Sequence, residues 1–374
     1  MTSRDAAPAL RIGVNALYLI PGGVGGTEIY LRSLLAALAA VDPVNRYFVF
    51  TNRETGSGLA PEAANFSAMP QAVSAASRPS RLIWEQTVLP LAAGRLGLDV
   101  MLNPGFTAPI LCSCPQVTVF HDLQHKRHPE YFRWFDLPFW QFFLFWSAQI
   151  SRLVLADSPA TAEDLQRYYR LPDSKVRVAP LGVDAVFFEL GRGRAPERFL
   201  LAVSTLHPHK NLDGLLRAFA VFRVDHPEFR LVVCGIHGFF TGPLHDLRDS
   251  LGLQGVVEFP GWIPREDVHS LYARAWAFLY PSLFEGFGLP VLEALAAGVP
   301  AACSNIQPLS EIAANAALQF DPHDSAAIAS AMARVVDDED LRRRLTEEGP
   351  RRARQFSWKS TAEATLKALR DAAG

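Results

Sequence analysis

Short apolar runs of three to seven residues recur along the chain, each closed by a polar, Gly or Pro turn. The runs at 11–17, 47–51, 117–120, 153–156, 176–179, 199–203, 231–234, 256–259 and 277–279 are of this kind. Short and continuously apolar segments are what strands buried on both faces look like, and helices covering both faces imply a parallel sheet. The stretch 28–40 has the spacing of such a helix. The expected class is α/β, and these strands are too many for one ordinary doubly wound sheet. A polar segment at 191–198, Gly-Arg-Gly-Arg-Ala-Pro-Glu-Arg, marks the break. Domains are therefore expected at 1–187 and 188–357, with the closing helix 358–374 a candidate to pack back on the first. Residues 57–80, rich in Ser, Ala and Pro, are expected to be surface loops.

Charge narrows the class of function. Lys and Arg number 36 against 38 Asp and Glu, a formal charge of -2. A near-neutral chain has no bulk attraction for nucleic acid, so an anion must be gripped by a local constellation. Four cysteines are too few for a disulfide framework, and Cys112-x-Cys114 lacks a second pair for zinc. No leading segment reads as a signal peptide. The longest apolar stretch, 137–150, is interrupted by Gln141 and Ser147 and is too short to span a bilayer. The expectation is a cytoplasmic protein, soluble or peripheral at the inner face of the membrane.

The most informative string is Phe284-Glu285-Gly286-Phe287-Gly288-Leu289-Pro290-Val291-Leu292-Glu293-Ala294-Leu295-Ala296-Ala297-Gly298. Pro290 suits a first helical position and Gly298 the residue past the end, predicting a helix over 290–297. Gly286 and Gly288 let the preceding backbone turn tightly, leaving the amides around Phe287 to Leu289 at a positive helix end. Glu285 and Glu293 flank that turn. A carboxylate repels phosphate but accepts from sugar hydroxyls, so the combination points to a sugar nucleotide. The plainer alternative is a Gly-rich turn with Glu293 merely favouring the helix dipole.

Upstream, Val203-Ser204-Thr205-Leu206-His207-Pro208-His209-Lys210-Asn211-Leu212 follows a strand and precedes a helix. Lys210 there can meet a diphosphate as a point charge, and Asn211 or the turn itself can cap the helix. A solvated Lys at a helix start is the alternative.

These strings resemble the group 1 retaining glycosyltransferases of family four, whose hallmark is Glu, seven residues, Glu; Glu285 and Glu293 match it, and the resemblance runs over nearly the whole chain. It implies a GT-B fold, two Rossmann-like doubly wound domains facing across a cleft, with the donor held mainly by the second. Members reading Thr-Leu-x-Pro-basic-Lys-Asn are often mannosyltransferases, which tilts the donor toward GDP-mannose. Many members carry Arg where this chain has Thr205; His207 and His209 are candidates to supply part of that charge. The resemblance assigns Lys210 to the leaving diphosphate, Glu293 to the ribose, and Glu285 with Gly286, Phe287, Gly288 and Leu289 to the hexose. It further implies front-face displacement without a covalent intermediate, no cofactor and no metal. An epimerase or phosphorylase on the same fold, or a non-catalytic nucleotide-sugar-binding subunit, are the alternatives.

In the first domain, Gly22-Gly23-Val24-Gly25-Gly26-Thr27-Glu28 lies between a strand and a helix. Its glycines permit an anion nest, and Thr27 can cap the helix. A dinucleotide fingerprint fails, because Glu28 stands where the third Gly belongs. The family likeness places Gly23, Gly25 and Gly26 along the cleft near donor phosphate and acceptor; a plain flexible loop is the alternative. His121 ends a buried strand, where side chains of doubly wound folds face ligand. The matching family His reaches the donor sugar, with Asp122 orienting it or helping a glycan or polyprenyl-linked acceptor. His125 and His128 read as structural.

Ten of the 40 aromatic residues fall within 131–146. Phe135, Phe139, Phe142 and Trp146 share one helical face, with Lys126, Arg127 and Arg133 nearby. An all-round apolar helix must be buried, paired or lipid-facing, so core packing, a dimer contact and shallow membrane contact are all open.

Overall fold

The computed structural model describes residues 8–23, 25–236, 238 and 240–374. It divides into two compact units. The first runs to Pro180 and takes in the closing helix; the second is Leu181–Ser357.

Seven strands form the first sheet: β1 (Arg11–Asn15), β2 (Arg46–Thr51), β3 (Phe66–Pro70), β4 (Val100–Asn103), β5 (Gln116–Phe120), β6 (Leu153–Ala156) and β7 (Val176–Val178). Their spatial order is β3-β2-β1-β4-β5-β6-β7, with every neighbouring pair parallel. The second sheet holds β8 (Phe199–Val203), β9 (Arg230–Cys234), β10 (Val257–Gly261), β11 (Ala277–Tyr280), β12 (Ala301–Ser304) and β13 (Leu318–Phe320). It is also parallel, in the order β10-β9-β8-β11-β12-β13. Both reverse direction after their first strand, the doubly wound pattern that opens a ligand crevice at the carboxyl ends flanking the reversal. The first crevice lies between β1 and β4, the second between β8 and β11.

Covering helices supply the apolar faces that such sheets need. The helix Gly26–Val41 buries Tyr30, Leu31, Leu34, Leu35 and Leu38, a helical cadence. Against it packs the closing helix Trp358–Ala373, which buries Trp358, Ala362, Leu366, Leu369 and Ala372. Thr361 of that helix donates to the Pro180 carbonyl at 2.6 Å. In the second unit, Leu212–Phe222 and Ser325–Asp337 pack together over the strands, burying Leu215, Phe219, Ile328 and Met332.

Three expectations are corrected. Residues 57–80 contain β3 and the first turn of the helix Arg78–Leu96, besides loops. The polar segment 191–198 is not a boundary between units: Arg194, half-buried, is tied into the second, donating to the carbonyls of Ala273, Ala275 and Gly298. The division falls earlier, between Pro180 and Leu181, so the helix Ala185–Leu190 belongs to the second unit. Among the described residues no helix is long and apolar enough to cross a membrane.

Candidate functional site

At the second crevice the loops after β8 and β11 are bonded to one another. The Leu283 amide donates to the His209 carbonyl at 2.7 Å, and Ser282 Oγ to the same oxygen at 3.0 Å. Asn211, in left-handed backbone (φ 52°), stands at the helix start but does not cap it through its side chain. Its amide nitrogen instead donates to the Pro281 and Pro322 carbonyls at 3.1 and 2.7 Å, pinning three loops.

This frame brings Lys210 and Glu285 together. Lys210 Nζ lies 2.6 Å from Glu285 Oε1 and 3.2 Å from the Tyr280 hydroxyl. Only 13% of the Lys side chain and 10% of the Glu side chain are exposed. Burial and the Glu285 carboxylate push the Tyr280 phenol far above its ordinary range, so it stays protonated. The result is a paired cation and anion, half-enclosed, at the carboxyl edge of the sheet.

Glycine then opens the helix that follows. Gly288 has φ 113°, and a Cβ there would stand 2.3 Å from Leu309 Cδ2, so only glycine fits. The helix Leu289–Ala296 begins immediately after it, within one residue of the expected start, and Gly298 sits past the end with φ 62°. Gly286, Phe287, Gly288 and Leu289 are buried around its positive end. That end points a dipole at the same edge as Lys210.

Glu293 stands apart from the Lys210–Glu285 pair in its contacts. It is 2% exposed; Oε1 accepts from Arg265 at 2.6 Å and Oε2 from the Tyr272 hydroxyl at 3.0 Å. Burial raises its pKa even against the Arg265 guanidinium. Arg265 also lies 3.7 Å from Asp184. Thr205 is half-buried in the β8 loop, and Gly235 approaches that loop so closely that a Cβ would meet the Ser204 carbonyl at 1.9 Å. Burial and Lys210 hold the pKa of His207, a candidate to supply part of the charge of the missing Arg, below its ordinary value.

In the first unit His121 is buried at the end of β5. Its Nδ1 lies 2.6 Å from Asp157 Oδ2 and its Nε2 3.0 Å from the Pro104 carbonyl. Tyr30 and Phe106 wall the ring edge-on at 4.8 and 5.0 Å. Burial disfavours the charged ring, but Asp157 and the Pro104 carbonyl outweigh it and raise the pKa. Both nitrogens face acceptors, an arrangement that favours the protonated ring. The orienting carboxylate is Asp157, at the end of β6, rather than Asp122. The Asp122 side chain accepts from the Gln124 amide at 2.9 Å, shaping the turn. His125 donates or accepts at the Tyr169 hydroxyl (2.6 Å), and His128 pairs with Glu130, structural roles as expected.

The glycine loop is partly self-satisfied. Glu28 folds back so that its Oε2 accepts from the Gly22 amide at 2.7 Å, and the Gly23 amide donates to the Ile20 carbonyl. Gly25 (φ 59°), not Thr27, stands at the start of the helix, and no side chain caps it; Thr27 lies inside. Gly26 opens the helix, and Val24 lies outside the described residues. At the first crevice a polar cluster went unread in the sequence: buried Glu85 accepts from Asn15 (3.1 Å) and Thr107 (3.0 Å), with Arg81 a turn away.

This architecture and motif set match known proteins. Residues 24–187 fit the profile of Glycosyltransferase Family 4 and 191–352 that of Glycosyl transferases group 1. The O-antigen chain mannosyltransferase B of Escherichia coli is 30% identical over 265 residues, 68% of this chain and 70% of that one. The MMP alpha-(1->4)-mannosyltransferase of Mycolicibacterium hassiacum is 31% identical over 261 residues, 67% of this chain and 63% of its own length. The chain therefore belongs to the group 1 glycosyltransferases. Its fold is GT-B: sucrose-phosphate synthase from Thermosynechococcus elongatus superposes with a TM-score of 0.79 at 19% identity, covering 97% of this chain and 98% of that one. WaaG, a glycosyltransferase of lipopolysaccharide biosynthesis, gives 0.75 at 16%, covering 96% and 99%.

Proposed function

We propose that the protein is a retaining mannosyltransferase that moves mannose from GDP-mannose to a glycan or lipid-linked glycan acceptor during polysaccharide assembly. The observation that carries the reading is the buried Lys210–Glu285 pair beside the Gly288–Leu289 helix start. The mannose donor is favoured by relatives named as mannosyltransferases and by the Thr205-to-Asn211 string.

Each residue's chemistry follows from its setting. Lys210 and the helix dipole meet the charge that develops on the departing diphosphate, where fixed donors count most. Glu285, held by Lys210, has a second oxygen able to accept from a sugar hydroxyl. Glu293 is the proposed ribose acceptor; its oxygens are engaged by Arg265 and Tyr272, so binding would exchange one of these for a ribose hydroxyl. His121, oriented by Asp157, is the first unit's proposed contribution. No metal or cofactor is assigned a role. Its place is the cytoplasm, where nucleotide sugars are made.

The test is product analysis. Incubation with GDP-mannose and a mannan oligosaccharide should release GDP and yield an α-anomeric signal by NMR, undiminished by EDTA. A β-linked product would remove the retaining assignment, and transfer from UDP-glucose alone would remove the donor.

A further inference from the structure

The helix Leu137–Ile150 turns its aromatic side outward. Phe139, Phe142, Phe145 and Trp146 are 40%, 49%, 37% and 41% exposed, and Trp134 and Phe135, just ahead of it, 83% and 55%. Spacings of three and four residues place Phe135, Phe139, Phe142 and Trp146 on one stripe, while Leu144, Ser147 and Ala148 are buried behind. A helix that only has to cover a core shows the reverse arrangement. The rings touch in series: Phe139–Phe143 at 4.5 Å, Phe142–Trp146 at 6.4 Å, Phe145–Trp146 at 5.7 Å. This is one connected apolar surface, not scattered side chains.

Cations stand at both ends of it. Lys126, Arg127 and Arg133 precede the helix, and the Arg78 guanidinium lies 4.6 Å over the Trp140 ring. Past Ile150, a shallow cavity of about 660 Å³ is lined by Arg152, Lys175 and Arg177. Asp136 pairs with Arg78, Asp164 with Arg127, Glu130 with His128, and Asp371, at the cavity, with Lys367, so the cations that face the surface are Lys126, Arg133, Arg152, Lys175 and Arg177. Phenylalanines between tryptophans, on a helix too short to span, with basic groups at either end, fit the interfacial zone of an anionic bilayer.

We propose that this stripe and its flanking cations seat the protein on an anionic membrane surface, the helix lying in the plane of the headgroups. The chain crosses from β5 to β6 through this helix, so it runs antiparallel to the strands. Its Trp134 end is therefore the end nearer the carboxyl edge of the sheet, where His121 sits. On the proposed reading of the acceptor as lipid-linked, the bilayer delivers acceptor to that edge.

The experiment is co-sedimentation of the full chain with phosphatidylcholine vesicles and with vesicles carrying roughly 30% phosphatidylglycerol. Binding at least tenfold stronger on the anionic vesicles, and weakened by added salt, is expected. The variant Trp134→Ser/Phe142→Ser/Trp146→Ser should lose about tenfold or more of it. Its melting temperature and its stabilisation by GDP should be unchanged, whereas Val221→Ser/Val224→Ser, on exposed residues of the second unit, should bind like wild type. Should the triple variant misfold, Arg133→Glu/Arg152→Glu carries the same test through charge. Wild type remaining in the supernatant at low salt, or variants binding equally, overturns the proposal. So does a dimer in free solution that the triple variant converts to monomer, since a second copy would then own the stripe. A failure of GDP to stabilise any of these proteins strikes the proposed donor and leaves the membrane result standing.

Discussion

Lys210 and Glu285 each offset the other's buried charge, so removing one strands its partner in a poorly hydrated crevice. Glu285→Gln keeps the shape and loses the charge; turnover should fall about a hundredfold or more while the chain still melts near wild type. Turnover within a factor of two of wild type would remove Glu285 from the reaction. Glu293→Ala behaves differently, because it removes the buried acceptor shared by Arg265 and the Tyr272 hydroxyl and leaves Arg265 only Asp184, at 3.7 Å. It should cost about 3 kcal/mol of stability before any nucleotide is added, visible in a denaturant titration, and weaken GDP binding as well. Histidines set the pH response. His125 is held down to about 4 by burial, below its value in the unfolded chain. The unfolded state then takes up a proton that the folded state refuses, so stability falls as pH drops from about 6.5 toward 4, by about 3 kcal/mol at most. His125→Leu should flatten that acid limb in melts recorded across pH. His121 is shifted the other way: its contribution is complete below the unfolded value and lost as pH rises through the raised folded one.

Elements were legible where apolar runs were long enough to be heard. The helix over 289–296 announced itself through Pro290 and the flanking glycines, and the structure places it within a residue. Strands β4, β12 and β13 did not, although β6, β7 and β11 are equally short; Ala301-Ala302-Cys303-Ser304, for one, has no β-branched side chain. β3 was hidden because its pattern is half-exposed and ends in Pro70. Site residues followed the same rule. Lys210, Glu285 and His121 sit at strand ends or in marked loops, whereas Asp157 and Tyr280 matter only because β6 and β11 lie beside β5 and β8. Arg265 and Tyr272 reach Glu293 from a helix 28 and 21 residues away in sequence, a link spacing alone does not carry. Gly288 tests the element directly. Gly288→Ala forces a Cβ onto Leu309 at φ 113°, so it should lower the melting temperature by several degrees and abolish nucleotide stabilisation together. An unchanged melt would mean that the turn is not the strained hinge of the site.

Across the whole molecule, the chain is threaded so that its last helix completes the first unit. Trp358 packs 6.2 Å from Tyr30, whose neighbour in turn is His121. A chain ended at Ser357 would bare the buried face of the helix Gly26–Val41, so its first unit should become protease-sensitive while the second still melts cooperatively. Lys210 and its loop are proposed to hold the diphosphate of a guanosine nucleotide sugar. Thermal melts with GDP, UDP, ADP, CMP and NAD, on wild type and on Lys210→Ala, test it most directly. A nucleotide at a hundred times its dissociation constant adds about 2.7 kcal/mol, a shift of several degrees for a chain of this size. That shift is expected with GDP alone, and is expected to be lost in Lys210→Ala. Stabilisation by UDP instead, by none of the five, or equally in the variant would contradict it.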